Sequence, residues 1–120
     1  AGFSFGAAVS MKACCGDERL VGLAALGLPV EAAGREYTYS FLADCRTPKL
    51  FLSGDSDQYA PRPALEAVFA TAAEPKRVVF VPGAEHFFQG TAAVPGAKRA
   101  RRQAELRAWI EESFPAVLGA

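Results

Sequence analysis

The sequence has a single histidine, one tryptophan, one methionine and three cysteines among 120 residues, and each scarcity excludes something. Cys14, Cys15 and Cys45 form no C-x-x-C pair, which removes the usual zinc and dithiol spacings. An odd count with two cysteines adjacent reads as buried or half-buried structural thiols, since Cys behaves as a small hydrophobe. Unpaired thiols point in turn to a reducing, cytoplasmic location. Excess charge is lacking too: 13 basic and 13 acidic side chains cancel, so no whole-chain field gathers nucleic acid or an anionic membrane. No apolar run reaches the roughly 20 residues of a membrane span. No basic stretch leads into an apolar one, as a secretory signal would. An initiating Met is also missing, so residue 1 is expected to lie inside a longer gene product.

What is present is apolar and alternating. Hydrophobic residues make up 51% of the chain, enough to build one compact core. Residues 6–15, rich in Ala with Val9 and Met11, read as a short, largely buried helix. Residues 19–30, "RLVGLAALGLPV", contain an apolar run of strand length whose Ala and Leu leave helix and strand both open. Residues 28–47 form a connection with a turn of helix expected at "YSFLADC". "PKLFLSG" (48–54) and "KRVVFVPG" (76–83) read as strands, the first opened by Pro48 and the second closed by Pro-Gly. Between them Leu65, Val68, Phe69 and Ala72 fall at i, i+3, i+4, i+7, the stripe of an amphipathic helix over 61–73. Leu106, Trp109, Ile110 and Phe114 predict a last helix over about 99–114.

Strands that are apolar throughout and separated by helices predict an α/β fold with a parallel sheet covered on both faces. Three strands make a thin sheet with two unpaired edges, so the chain reads as a single domain (1–120) forming part of a larger, doubly wound sheet. The basic run Lys98-Arg99-Ala100-Arg101-Arg102 reads as a solvated surface segment, with contact to an anionic substrate or partner as its alternative.

The first residues, "AGFSFG", raise the chemical question. A serine on a tight strand-to-helix turn takes strained backbone angles, and residues two away must be small for strand and helix to approach. Gly2-Phe3-Ser4-Phe5-Gly6 has that spacing. A helix beginning beneath Ser4 would offer free N–H groups to a developing oxyanion, with the Phe5 N–H the natural donor. By itself G-x-S-x-G is also an ordinary small-residue turn. It is not a phosphate loop, because Gly6 runs into Ala7 rather than Lys and Ser/Thr.

Order and position add weight. His86 follows the strand "VVFV" in "PGAEHFFQG", and "LFLSGDSDQYAP" places Asp55 and Asp57 just past another strand. In an open parallel sheet the C-terminal ends of the strands share one crevice. Serine, aspartate and histidine follow one another in the order of an α/β-hydrolase triad, unlike the two other familiar orders.

On "GFSFG", "PKLFLSGDSDQYAP" and "PGAEHFFQG" the chain resembles the C-terminal half of a serine α/β-hydrolase. It is most similar to the small, lidless bacterial hydrolases grouped near dienelactone hydrolases and short acyl esterases. In that superfamily the acid segment reads Gly, any, any, Asp, then Pro four later. Here these are Gly54, Asp57 and Pro61, so the resemblance selects Asp57 over Asp55. After Gly90 the stretch "TAAVPGAKRARR" departs from the direct run into the last helix that such proteins show. The resemblance implies acyl transfer by Ser4, His86 and Asp57 on a small ester-like substrate, with Phe5 N–H at the oxyanion and neither metal nor organic cofactor. Phe3, Tyr59 and Phe87 would line an apolar acyl or aryl pocket, while Phe87 or Phe88 packs in the core. It further implies that the strand feeding Ser4 and the loop with a second oxyanion donor lie outside this sequence.

Two other readings compete. A non-catalytic protein of the same fold would bind a ligand or partner in the crevice, against which stands the full set of triad residue types. A flavodoxin-like or receiver domain needs a phosphate loop, or acids on early strands with a later lysine, and no suitable lysine follows a strand here. Beginning at Ala1, the 120-residue chain is expected to hydrolyse p-nitrophenyl acetate poorly and to self-associate. Losing one oxyanion donor alone typically costs about 10²–10³ in kcat. Turnover and sedimentation, measured beside the longer gene product, test this, and comparable turnover from a well-behaved monomer would refute it.

Overall fold

A computed structural model describes residues 1–32, 34–88, 107–108 and 111–112. In chain order its elements are β1 (Gly2–Phe3), α1 (Phe5–Cys14), β2 (Leu23–Leu26), the pair β3 (Glu31–Ala32) and β4 (Arg35–Glu36), a 3₁₀ turn (Ser40–Asp44), β5 (Lys49–Gly54), α2 (Arg62–Thr71) and β6 (Lys76–Val81). The main sheet has the order β1-β2-β5-β6 and every neighbouring pair is parallel. The α/β class, the two internal helices and the strands at 48–54 and 76–83 agree with the sequence reading. The ambiguous run at 19–30 resolves over Leu23–Leu26 as a buried strand between two parallel partners, β1 and β5.

Two elements carried no sequence signal. The strand expected to be missing before Ser4 is present as β1, with Gly2 opposite Ala25 and Phe3 opposite Leu26. Two residues are too few to show any alternation, and their backbone pairing alone makes them a strand. The β3–β4 pair is built from Glu31, Ala32, Arg35 and Glu36, mostly exposed and poor in β-formers. The helix expected over 99–114 lies largely outside the described residues, although Arg107, Ala108, Glu111 and Glu112 are helical. The basic run 98–102 lies outside them as well.

Register decides which side chains share a face. Ala25 pairs with Phe51 and Phe51 with Val78, so these three point the same way. Against that face pack Ala7 and Met11 of α1 and Leu65 of α2, forming one core with Leu28, Tyr39 and Leu42. Phe69 meets Phe51 edge-on at 5.8 Å. Burying a Leu, Met or Phe contributes about 1.5–3 kcal/mol each. The other face gathers Leu52, Val81, Ala84 and Phe88, with Leu26 and Val79 beside them. No helix among the described residues is long and apolar enough to cross a membrane.

The expectation of three free thiols fails. Cys15 and Cys45 are joined, with Cα atoms 5.5 Å apart, while Cys14 remains free and half-buried. The adjacent pair concealed this: only Cys15, just past the last turn of α1, faces the segment that leads into β5. With it goes the cysteine argument for a reducing compartment.

The start of β5 carries a buried charge. Lys49 is fully buried, and its ammonium donates to the carbonyls of Cys45 (2.7 Å), Ala73 (2.7 Å) and Pro75 (3.3 Å). Desolvation lowers its pKa, with nearby Lys76 and Arg46 acting in the same direction and Glu74 opposing. The Pro75 carbonyl also accepts from the Lys49 backbone N–H at 3.1 Å, so the ammonium matters most to Cys45 O and Ala73 O. Lys49→Met keeps the bulk and takes this donor from Cys45 O and Ala73 O, each unsatisfied buried group costing about 1–3 kcal/mol. Urea unfolding should show a lower midpoint at unchanged slope, with a loss of at least about 2 kcal/mol.

Candidate active site

Ser4 sits between β1 and α1 with φ 54° and ψ −125°, a conformation that L-residues avoid. Such strain costs about 1–3 kcal/mol and persists only where surroundings enforce it. Here the Ser4 N–H donates to Leu26 O at 2.9 Å, and the Ser4 carbonyl accepts from Ala7 N (2.9 Å) and Ala8 N (3.2 Å). The turn is therefore fixed to β2 on one side and to the first turn of α1 on the other.

Gly2 explains how strand and helix come so close. A Cβ there would lie 2.6 Å from Gly6 O, 2.8 Å from Ala7 Cα and 2.4 Å from Ser10 Oγ. Gly6 differs from expectation, since among the described residues nothing comes within 4 Å of a Cβ placed on it. The small-residue requirement falls on the strand side of the turn, where two backbones meet.

The Ser4 hydroxyl reaches His86 Nε2 at 2.8 Å, and His86 Nδ1 lies 2.9 Å from Asp57 Oδ2. Asp57 is buried, and its other oxygen accepts from the N–H groups of Tyr59 (2.8 Å) and Ala60 (3.3 Å). An ionised carboxylate only accepts, so it holds the imidazole proton on Nδ1 and leaves the Nε2 lone pair facing Ser4. Asp55 does not take this place. It is exposed, and its carboxylate accepts from Gly83 N at 2.8 Å and from the Ser56 hydroxyl at 3.3 Å.

His86 is only 3% exposed. Its ring is bordered by Tyr59 (4.7 Å, edge-on), Phe87 (5.2 Å, edge-on) and Phe3 (5.3 Å, tilted). Phe3 and Phe87 also meet, at 6.0 Å, and both stay exposed. Phe88 is the aromatic that enters the core. Phe5 opens α1 with an exposed side chain. The N–H groups of Phe5 and Gly6 have no intrahelical acceptor because the helix begins there. Sequence reasoning missed Gly27, and it used Gly54 only as a marker of the acid segment. Gly27 lies beside the ring at φ +59°, which favours glycine, and a Cβ there would be in ordinary contact with His86 Cε1 at 3.4 Å. At Gly54 a Cβ would be 2.2 Å from Ala84 O, in the loop that delivers His86.

A family model described as an alpha/beta hydrolase domain matches residues 1–112. The chain belongs to the α/β-hydrolase family. Among solved structures, this α/β-hydrolase chain is similar to an α/β serine hydrolase homologue from Coxiella burnetii. That match has a TM-score of 0.65 and 29% identity over 89% of this chain and 46% of the other. A lidless α/β serine hydrolase from Xanthomonas campestris matches with a TM-score of 0.56 and 25% identity, covering 90% of this chain and 45% of its own. An esterase domain from Rhodothermus marinus shares the fold at a TM-score of 0.63 and 19% identity, covering 90% and 57%. The α/β-hydrolase chain thus spans about half the length of the solved structures it matches. No curated protein gives a significant match.

The two glycines of the turn should respond oppositely. Gly2→Ala forces backbone apart and is expected to destabilise by about 1–3 kcal/mol, the usual range for overpacking. Gly6→Ala, in open space on a helix, should be neutral or stabilise by up to about 1 kcal/mol. Urea titrations of both variants check the contrast, and equal losses would show that both sites are crowded.

Proposed function

We propose that this α/β-hydrolase chain carries the catalytic centre of a serine hydrolase acting on small ester-like acyl substrates. The observation that supports it is the unbroken relay from a strained Ser4 through His86 to buried Asp57. Ser4 Oγ attacks the substrate carbonyl carbon while its proton passes to His86 Nε2. Asp57 holds the ring's tautomer and stabilises the imidazolium. The oxyanion is met by the Phe5 N–H at the start of α1, the helix's positive end. When the intermediate collapses, Nε2 returns the proton to the departing alcohol or thiol, leaving an acyl group on Ser4. Water then attacks that acyl group by the same route in reverse, releasing the acid and restoring the hydroxyl. No step requires a metal or an organic cofactor.

Phe3, Tyr59 and Phe87 favour an apolar acyl or aryl group, since exposed Phe3 and Phe87 and half-buried Tyr59 border the His86 ring. The natural gene product that contains this chain should react with a fluorophosphonate probe, and Ser4→Ala should abolish labelling. Asp57→Asn is expected to cost about 10⁴ in kcat, as in a well-studied triad, and Asp55→Asn far less. Labelling that survives Ser4→Ala, or the reverse ranking of the aspartates, would overturn the reading. A folded wild type that never labels would favour a binding protein instead.

A further inference from the structure

The loop bearing Asp57 and the loop bearing His86 are joined at more than the carboxylate–imidazole pair. The Asp55 N–H donates to Val81 O at 3.1 Å, and the Ser56 N–H donates to Ala84 O at 2.9 Å. The Asp55 carboxylate accepts from the Gly83 N–H at 2.8 Å. Gly54, whose Cβ would strike Ala84 O, allows the two backbones to close on each other. These contacts continue the β5–β6 pairing past the strand ends as a clasp, and Asp55 is the residue that contributes to it with both backbone and side chain.

We propose that Asp55 is a positioning residue. By holding the Gly83 turn, three residues before His86, it sets the reach of His86 Nε2 to the Ser4 hydroxyl. The inference rests on the proposed triad. Gly83 has φ +67°; the turn closes on itself through Ala84 N–H to Val81 O at 3.3 Å, and the Asp55 carboxylate is the side-chain acceptor that ties it to the neighbouring loop. Asp55 lies on the surface and supports no core packing, so its hydrogen bond serves the geometry of the histidine loop rather than the stability of the sheet. The acceptor, not the charge, is what this role demands. Asparagine can supply it, and alanine cannot.

The test compares Asp55→Ala and Asp55→Asn with wild type in p-nitrophenyl acetate hydrolysis, thermal unfolding and proton NMR of the imidazole N–H. The NMR signal is direct because His86 is the one histidine of the sequence. Asp55→Ala should lower kcat about 10- to 100-fold, the scale of an angstrom-sized misplacement, with KM changed less than about twofold. Its Nδ1–H resonance should shift or broaden. Asp55→Asn should restore kcat and the resonance. Unchanged kcat and resonance in Asp55→Ala would overturn the proposal. Equal loss in both variants would overturn it too, since charge would then be what matters. A collapse of the unfolding temperature in Asp55→Ala would assign the contact to stability instead. If wild type shows no hydrolysis while the Asp55→Ala resonance moves and Asn restores it, the triad reading fails and the clasp stands. If wild type is active and the resonance is indifferent to Asp55, the clasp alone fails.

Discussion

Parallel pairing of β5 with both of its neighbours is the constraint on which the site depends. Because β1, β2, β5 and β6 all run the same way, the turns after Phe3, Gly54 and Val81 leave the sheet at one edge. Ser4, Asp57 and His86 are 29 to 82 residues apart in pairing distance along the chain, yet they meet within two hydrogen bonds. No single loop could hold three side chains so closely. The sheet does it by bringing separate strand ends to a common rim.

The opposite rim is built on different physics. There Lys49 draws in the carbonyls of Cys45, Ala73 and Pro75, so one buried ammonium joins the segment before β5 to the α2–β6 connection. A buried charge is tolerated only when its hydrogen-bonding capacity is filled, and three donors meeting three acceptors fill it. The Cys15–Cys45 link lies at this end too, tying the far end of α1 to the segment before β5. Strain is stored at the rim that carries Ser4, and tight anchoring lies at the other.

Much of this was legible because apolar continuity and helical spacing are long-range patterns. Leu65, Val68, Phe69 and Ala72 mark the buried face of α2, and the run through Leu50–Leu52 marks a strand enclosed on both sides. Ser4 and His86 were legible from residue type, strand position and order. The choice between Asp55 and Asp57 was not a matter of pattern: both are aspartates past the same strand, and it took a family resemblance to separate them. What stayed hidden depends on backbone contact. β1 is too short to have a period, β3–β4 is polar, and the partner of Cys15 follows from where the segment before β5 passes. Gly54 was marked by its motif, but its reason, the close approach of the Ala84 carbonyl, shows only when the His86 loop is laid over it. Gly6 taught the converse, since its motif position suggested crowding that the space around it lacks.

The near-complete enclosure of His86 has a consequence for proton traffic. One ring nitrogen is occupied by Asp57, and Tyr59, Phe3 and Phe87 border the ring. Nε2 is left facing Ser4, so in the proposed reaction a proton arriving there would have one open direction, back toward the serine and whatever molecule lies against it. In that reaction the proton would leave only toward a guest placed where the serine points.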